Sequence, residues 1–376
     1  MRPRPDRLQR LPEQYFGALL AHVAAAAAVE GEPLVDLGRG NPETGPPQHV
    51  IDALAEAANR PEAHGYSPFR GIPGLREAIA ARYSDLYSVE LDPETEVAVV
   101  PGTKTAIVEL SLALAERGQS VVLPDPWYPD YPSGPALAGA RLETVPLDPA
   151  NDWQPDFARA PREDVAAVYL NYPTNPCGVV VRDGTFEAAI AYAGETGAAV
   201  VHDFAYGDLV FDGRSPQSFL ATPGAKDVGV EMYSMSKTYG MAGWRLGFVL
   251  GNAEIIARIN LLNDHCRVGV FRPIQEAAIA ALTGPQDSVA ERVATYQRRR
   301  DRVLEHMDAR CEGTFYVWFE LPPHLTVDQL MMEHRVALSP GEGFGPSGAG
   351  WARISLAVTD ENLELGLDRL ARALEQ

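Results

Sequence analysis

The chain reads as an α/β protein: a mostly parallel central sheet covered by helices, with a smaller α+β domain built from both ends of the chain. Three observations point there. The runs VAVV, SVVLP, VAAVYL, AAVVH, VEMYS and LGFVL are apolar throughout instead of alternating, as in strands buried on both faces. Helical patterns fall between several of them, over 105–117 and 186–193, as a sheet covered by helices requires. Beyond about residue 272 the character changes to strands mixed with helices. The expected division is 40–271 for the large domain and 1–39 plus 272–376 for the small one.

In chain order, residues 13–30 form an alanine-rich helical pattern ended by Gly31 and Pro33. LVDLGRGNP follows, and its Gly38 and Gly40 allow either close approach of backbone to a ligand or a sharp turn. From 47 to 59, Val50, Ile51, Leu54, Ala55 and Ala58 make one helical face. HGYSPFRGIPG is a turn-rich loop containing Tyr66, and a second amphipathic helix carries Leu75, Ile79, Tyr83 and Leu86. After the strand-and-helix middle, a long helical pattern over 273–307 is broken near Gly284-Pro285. FYVWFEL, a short helix, VALSP, RISLAV and a closing helix over 360–376 complete the chain.

With 376 residues, 46% of them hydrophobic, the chain can bury a core large enough for two domains. Its 32 basic against 51 acidic residues, a net charge of −19, argue against nucleic acid or an anionic membrane as partner. Cys177, Cys266 and Cys311 are odd in number and matched to no metal-ligand spacing, so they read as free thiols in a reducing compartment. The Arg-bearing start followed by AHVAAAAAV resembles a targeting signal, but Glu13 and His22 interrupt it. No window is long enough to span a membrane, and a cytoplasmic location is expected.

The chemistry gathers at strand ends, where an open α/β sheet builds its ligand site. SMSKTYGMAGWR places Lys237, Arg245 and the hydroxyls of Ser234 and Ser236 in one glycine-punctuated loop. Such a set suits a carbonyl cofactor bearing a phosphate, pyridoxal phosphate: the amine condenses with the carbonyl while hydroxyls and guanidinium hold the phosphate. Taken alone, SxSK also describes a surface lysine. In PGTKTAI, Thr103 and Lys104 stand where a helix N-terminus welcomes phosphate, although Thr103 can equally cap the helix. Tyr128 in PDPWYPDY can stack on a flat ring, and neighbouring Trp127 reads as packing. Asn175 in NYPTNPCG either donates to a phenolic oxygen or marks a turn. Asp203 ends the run VVHD, where a buried carboxylate needs a cation such as a protonated pyridine; Tyr206 follows within reach of the ring, and His202 reads as packed. Arg353, inside WARISLAV, calls for a carboxylate, either a substrate's or one from an internal salt bridge.

Together, YSPFRGIPGLR, PGTK, PWYP, NPCG, HDFAY, SMSKTYGMAGWRLGF, SPGEGFG and RISLA resemble, in order and over nearly the whole chain, the class I aminotransferases, pyridoxal-phosphate enzymes of fold type I. HGYSPFRGIPGLREAI, VVHDFAYGDLVFDG and FRPIQEAAIAAL look most like bacterial alanine aminotransferases and their LL-diaminopimelate relatives. The resemblance implies that Lys237 joins the cofactor and shuttles a proton, and that Asp203 keeps the pyridine nitrogen protonated. It puts Asn175 and Tyr206 on the ring oxygen, Tyr128 on the ring face, and Thr103, Lys104, Ser234, Ser236 and Arg245 on the phosphate. Tyr66 would reach the phosphate of a neighbouring subunit, implying a homodimer. Arg353, with Asn175 and the Gly38 backbone, would clamp the substrate carboxylate.

There are departures. The segment between Met307 and Phe315 is shorter than in these relatives by on the order of ten residues, a loss a loop absorbs. Arg267, Val268 and Trp127 replace the alanine-type residues, leaving side-chain specificity open. The expected reaction is ping-pong transfer from an L-amino acid to a 2-oxo acid, with alanine and 2-oxoglutarate the leading pair. A specialised biosynthetic amino acid, or a lyase splitting a C–S or β bond on the same scaffold, are the alternatives. A regulatory pyridoxal-phosphate domain is not expected, since no basic helix-turn-helix pattern accompanies the fold.

Overall fold

The computed structural model describes residues 3–375. The chain enters through α1 (Tyr15–Ala27), whose first turn is capped by Gln14: its side-chain oxygen accepts the Gly17 N–H. Although apolar along most of its length, α1 buries a single residue, Ala26. After β1 (Val35–Asp36) come α2 (Gln48–Ala58) and α3 (Pro73–Tyr87). Pro73 sits in the first turn of α3, where its fixed φ suits the helix and no N–H is missed.

The central sheet holds β2 (Val97–Val100), β3 (Ser120–Asp125), β4 (Arg141–Pro146), β5 (Val165–Asn171), β6 (Ala199–Asp203), β7 (Gly229–Ser234) and β8 (Gly247–Gly251), in the order β2-β8-β7-β6-β5-β3-β4. Because side chains alternate across a strand, each apolar run feeds two cores. Val97, Val99, Val168 and Val200 join α2, α3 and α5 (Thr185–Thr196) on one face. Ala98, Val100, Ala167 and Val201 join α4 (Thr103–Leu114) and α7 (Ala253–Cys266) on the other, where α6 denotes the single turn Met235–Thr238.

Two strand expectations need correcting. The all-apolar run LGFVL, β8, is antiparallel to both neighbours, whereas β4, β3, β5, β6 and β7 run parallel. Burial on both faces says nothing of direction, and the link from β7 to β8 turns back at the edge where β7 ends instead of crossing the sheet. RLETVP, β4, is absent from the expected strands because it is an edge strand with only Val145 buried, so it lacks an apolar run.

Helices α8 (Arg272–Thr283) and α9 (Asp287–Leu304) follow, divided near Gly284-Pro285. Helix α8 packs on α2 and α3 and shares the first core. A further core lies under β9 (Tyr316–Glu320), β10 (Val336–Ala337), β11 (Ser339–Pro340), β12 (Trp351–Ser355), α9 and α10 (Asp360–Leu374). The sheet β11-β12-β9 is antiparallel, and β1 pairs with β10, tying the amino-terminal segment to the carboxyl-terminal one. Among the described residues, no helix is long and apolar enough to cross a membrane.

Candidate active site

Strand register decides which residues meet at the carboxyl edge of the sheet. Asn171 lies opposite Asp203, Ser234 opposite Gly247, and Gly247 opposite Val100 on its other side. A cavity of about 490 Å³ opens along this edge. It collects Thr103 and Lys104 after β2, Tyr128 after β3, Asn175 after β5, Tyr206 after β6, and Ser236, Lys237 and Arg245 between β7 and β8. Asp203 and Ser234 line it from the strand ends, and Gly38 from the segment after β1. Of the residues expected from sequence, Tyr66 and Arg353 alone are not among its lining.

Lys237 belongs to α6, one helical turn within the expected loop, capped by the Ser234 hydroxyl accepting the Ser236 N–H at 3.2 Å. Its Nζ donates to the Gly40 carbonyl at 3.2 Å and lies 5.2 Å from the Phe315 ring centroid. Burial lowers its pKa; Arg353 and Arg245 push the same way, against Tyr316 and Asp203. An amine held toward its neutral form is a nucleophile for a carbonyl carbon.

Asp203 is buried and has no cationic side chain in ion-pair contact among the described residues. Its carboxylate accepts the Tyr131 hydroxyl at 2.8 Å and the Ala205 N–H at 3.1 Å. Burial nonetheless raises its pKa, so the site lacks a positive charge that a protonated ring nitrogen can supply. Asn171 holds two parts of this wall together, donating to the Asp203 carbonyl and accepting the Asn175 N–H, both at 2.8 Å. Neither Asn171 nor Tyr131 was among the expected site residues. Asn171 obeys the same rule as Asp203, a polar residue closing an apolar run; Tyr131 carries no comparable signal.

The phosphate end fits equally. Gly102, at φ 87°, precedes α4, and a Cβ there would come 2.4 Å from Arg245 Nη2. Only glycine lets the guanidinium lie against a helix start with its free N–H groups. Ser234 and Ser236 face the same cavity. Lys104 differs from expectation: its half-exposed ammonium sits 2.9 Å from the Asp130 carboxylate, at the rim. Asp130 is nearly buried and needs a cation, and it also accepts the Gln14 amide at 3.2 Å.

Arg353 is wholly buried behind the cavity, its guanidinium 3.8 Å from the centroid of the Tyr316 ring and 4.7 Å from that of Phe344. It donates to Asn175 Oδ1 at 2.7 Å, Ser339 Oγ at 3.2 Å and the Gly38 carbonyl at 3.3 Å, while Nε has no partner. None of these partners is a carboxylate, which removes the internal salt bridge as its explanation. A buried guanidinium bonded only to neutral groups is an anion site in waiting. Gly38 is required here because a Cβ would lie 2.9 Å from the Leu338 carbonyl carbon, and at Gly40 one would meet the Tyr316 hydroxyl at 2.1 Å. In sequence Tyr316 is only one residue of the apolar run FYVWFEL.

The other expectations separate cleanly. Tyr66 is 91% exposed, away from its own chain's cavity. Trp127 packs beside Gly345, with its main-chain N–H on the Phe344 carbonyl at 2.7 Å. Arg267 pairs with Glu109 at 3.1 Å and does not line the cavity, so within this chain it cannot read a substrate there. His202 is packed, bonded to Glu231 at 2.8 Å. Helix α1 adds an apolar part to the lining through Phe16, Leu19, Leu20 and Val23.

Residues 32–370 match the family model described as aminotransferase class I and II. The chain is 43% identical over 378 residues to the L-glutamine–4-(methylsulfanyl)-2-oxobutanoate aminotransferase of Bacillus subtilis (strain 168), covering 97% of this chain and 95% of the relative. It is 38% identical over 366 residues to the glutamate-pyruvate aminotransferase AlaC of Escherichia coli (strain K12), covering 93% and 89%. The substrate-bound structure of BacF from Bacillus subtilis superposes with a TM-score of 0.92 at 38% identity, covering 99% of this chain and 98% of that one. The family match and these identities show that the chain belongs to the class I and II aminotransferases, enzymes that work with pyridoxal phosphate.

Proposed function

We propose that this aminotransferase takes the amino group of an apolar L-amino acid and gives it to a 2-oxo acid in a ping-pong cycle, with alanine and 2-oxoglutarate as the leading pair. The observation that carries this reading is the mixed lining of the cavity: polar groups from the strand ends together with the aliphatic Leu19, Leu20 and Val23 of α1. An apolar side chain loses little by lying against such residues, whereas a charged one loses its hydration. Two relatives support it, since one is named for a methylsulfanyl oxo acid and the other for pyruvate.

When bound, pyridoxal phosphate supplies an aldehyde that accepts an amine and a ring that withdraws electrons from the adjoining carbon. In this proposal Arg353 and Asn175 orient the substrate carboxylate, and Lys237 moves the proton on and off the substrate Cα. Asp203 holds a proton on the ring nitrogen, Tyr206 and Asn175 bond the ring oxygen, and Tyr128 lies on the ring face. Thr103, Ser234, Ser236 and Arg245 hold the phosphate, with Lys104 at its rim. Tyr66 serves a second copy of the chain: it is exposed, as are Phe69, Val268 and Phe271, an apolar set suited to a homodimer. The proposed division is 40–271 against 1–39 plus 272–376, with α8 reaching across it into the first core.

The test is an absorbance titration of the holoenzyme with alanine, methionine, leucine, lysine and glutamine, followed by 2-oxoglutarate. Apolar donors should change the cofactor spectrum and the oxo acid should restore it. A response confined to lysine or other charged donors would overturn the proposed donor class.

A further inference from the structure

A ping-pong aminotransferase uses one cavity for both partners, and an apolar wall alone cannot distinguish a dicarboxylic partner from an uncharged one. Arg39 stands at the point where that distinction can be made. Its two neighbours are pinned: the Gly38 carbonyl accepts from Arg353 at 3.3 Å, and the Gly40 carbonyl accepts from the Lys237 amine at 3.2 Å. Residue 39 therefore leaves the backbone between the group suited to a substrate carboxylate and the amine that reaches the substrate Cα. Arg39 lines the cavity together with Leu19, Leu20 and Val23 of α1.

Each of the other cations at the cavity already has a hydrogen-bond or ion-pair partner, and all but Lys104 are held by neutral groups. Lys104 is on Asp130, Arg245 donates to the Ala242 carbonyl at 3.0 Å, Arg353 is buried on Asn175, and Lys237 is on Gly40. Among the described residues Arg39 has no acidic partner and no hydrogen bond, and it is exposed. Asp36, the nearest acid in sequence, also lines the cavity, but its carboxylate accepts the Gly38 N–H at 2.9 Å and so braces the loop.

We infer that Arg39 is the specificity-determining residue for the dicarboxylic partner: its guanidinium receives the distal carboxylate of a five-carbon oxo or amino diacid, while apolar partners lie against α1. This rests on the amino-transfer reading above. A guanidinium bonds a carboxylate through paired N–H groups, and when that carboxylate is absent it can return to water at the mouth, so an apolar substrate is not left beside a buried charge.

The experiment is calorimetric binding of two non-reacting ligands of equal length, glutarate and pentanoate, to the holoenzyme and to its Arg39→Gln and Arg39→Lys variants. The expected result is a fall of roughly tenfold or more in the glutarate-to-pentanoate affinity ratio for Arg39→Gln, the scale of one lost charge-assisted hydrogen bond, and partial recovery in Arg39→Lys. A ratio within about twofold of wild type in Arg39→Gln, less than half a typical hydrogen bond, would overturn the assignment. The same preparations are titrated with amino acids by absorbance: no response to any of them would overturn the amino-transfer reading instead, which separates the two failures.

Discussion

The floor and the wall of the cavity are built on different principles. Asn171, Asp203 and Ser234 close the ends of adjacent strands, are at most 5% exposed, and are held by hydrogen bonds within the protein. The wall is α1, which buries one residue, together with the exposed Arg39. Groups on a sheet edge have their geometry set by the ladder and the two cores, so little ordering remains when a ligand arrives. Groups on a lightly anchored helix can change without disturbing either core. On the proposed function, reaction chemistry belongs to the floor and choice of substrate to the wall.

The sharpest way to break that division is at the floor. Lys237→Ala should lower kcat by about 10⁴-fold, the upper range for a lost proton-transfer group, with folding intact by circular dichroism. Turnover within tenfold of wild type would sink its assignment. Arg353→Leu is expected next: loss of a buried charge-pair interaction of about 2–5 kcal/mol, appearing as roughly a hundredfold fall in kcat/KM. Steady-state kinetics with alanine and methionine should show the same fall for both, since the clamp serves the carboxylate they share.

Asp203→Asn tests the floor from the stability side. The folded pKa of Asp203 stands above its unfolded value, so in cofactor-free protein its ionisation opposes folding. That penalty is absent below the unfolded pKa and appears as pH rises toward and through the folded one. The variant should therefore gain stability over cofactor-free wild type on raising the pH from 4 to 7. Thermal melts at the two pH values check this, and a gain independent of pH would contradict it. Cofactor retention on dialysis should fall in the same variant.

Gly102→Ala sits where floor and helix start meet. It combines a strained backbone with a contact on Arg245, and should cost about 1–3 kcal/mol in phosphate affinity or stability, read by titration with pyridoxal phosphate. The smallest effect is expected at the wall. Leu20→Ala should shift the methionine-to-alanine ratio of kcat/KM toward alanine by a few-fold, about 1 kcal/mol of apolar contact, while leaving the melting temperature nearly unchanged. A large loss of stability there would erase the contrast between the two regions.

Much of the floor was legible because a buried strand leaves a plain record: an apolar run, then a polar residue that has no business in a core. That record pointed to Asp203, Asn175 and the Lys237 loop, and it overlooked Asn171 although the same rule applies to it. Tyr131 and Tyr316 left no such trace, since their hydroxyls matter only through Asp203 and Arg353, which chain order does not bring near.

By itself the sequence determined the layered α/β class, most of the strands and the groups closing them, because apolar periodicity and strand-end polarity are local properties. Tertiary structure decided the antiparallel course of β8, the place of Lys104 on Asp130, and the wall that α1 and Arg39 give the cavity. It also decided the state of Arg353, whose bond to Asn175 joins residues 178 positions apart. Whether a buried charge has a partner depends on which distant segments are folded against it, and that is a property of the assembled chain.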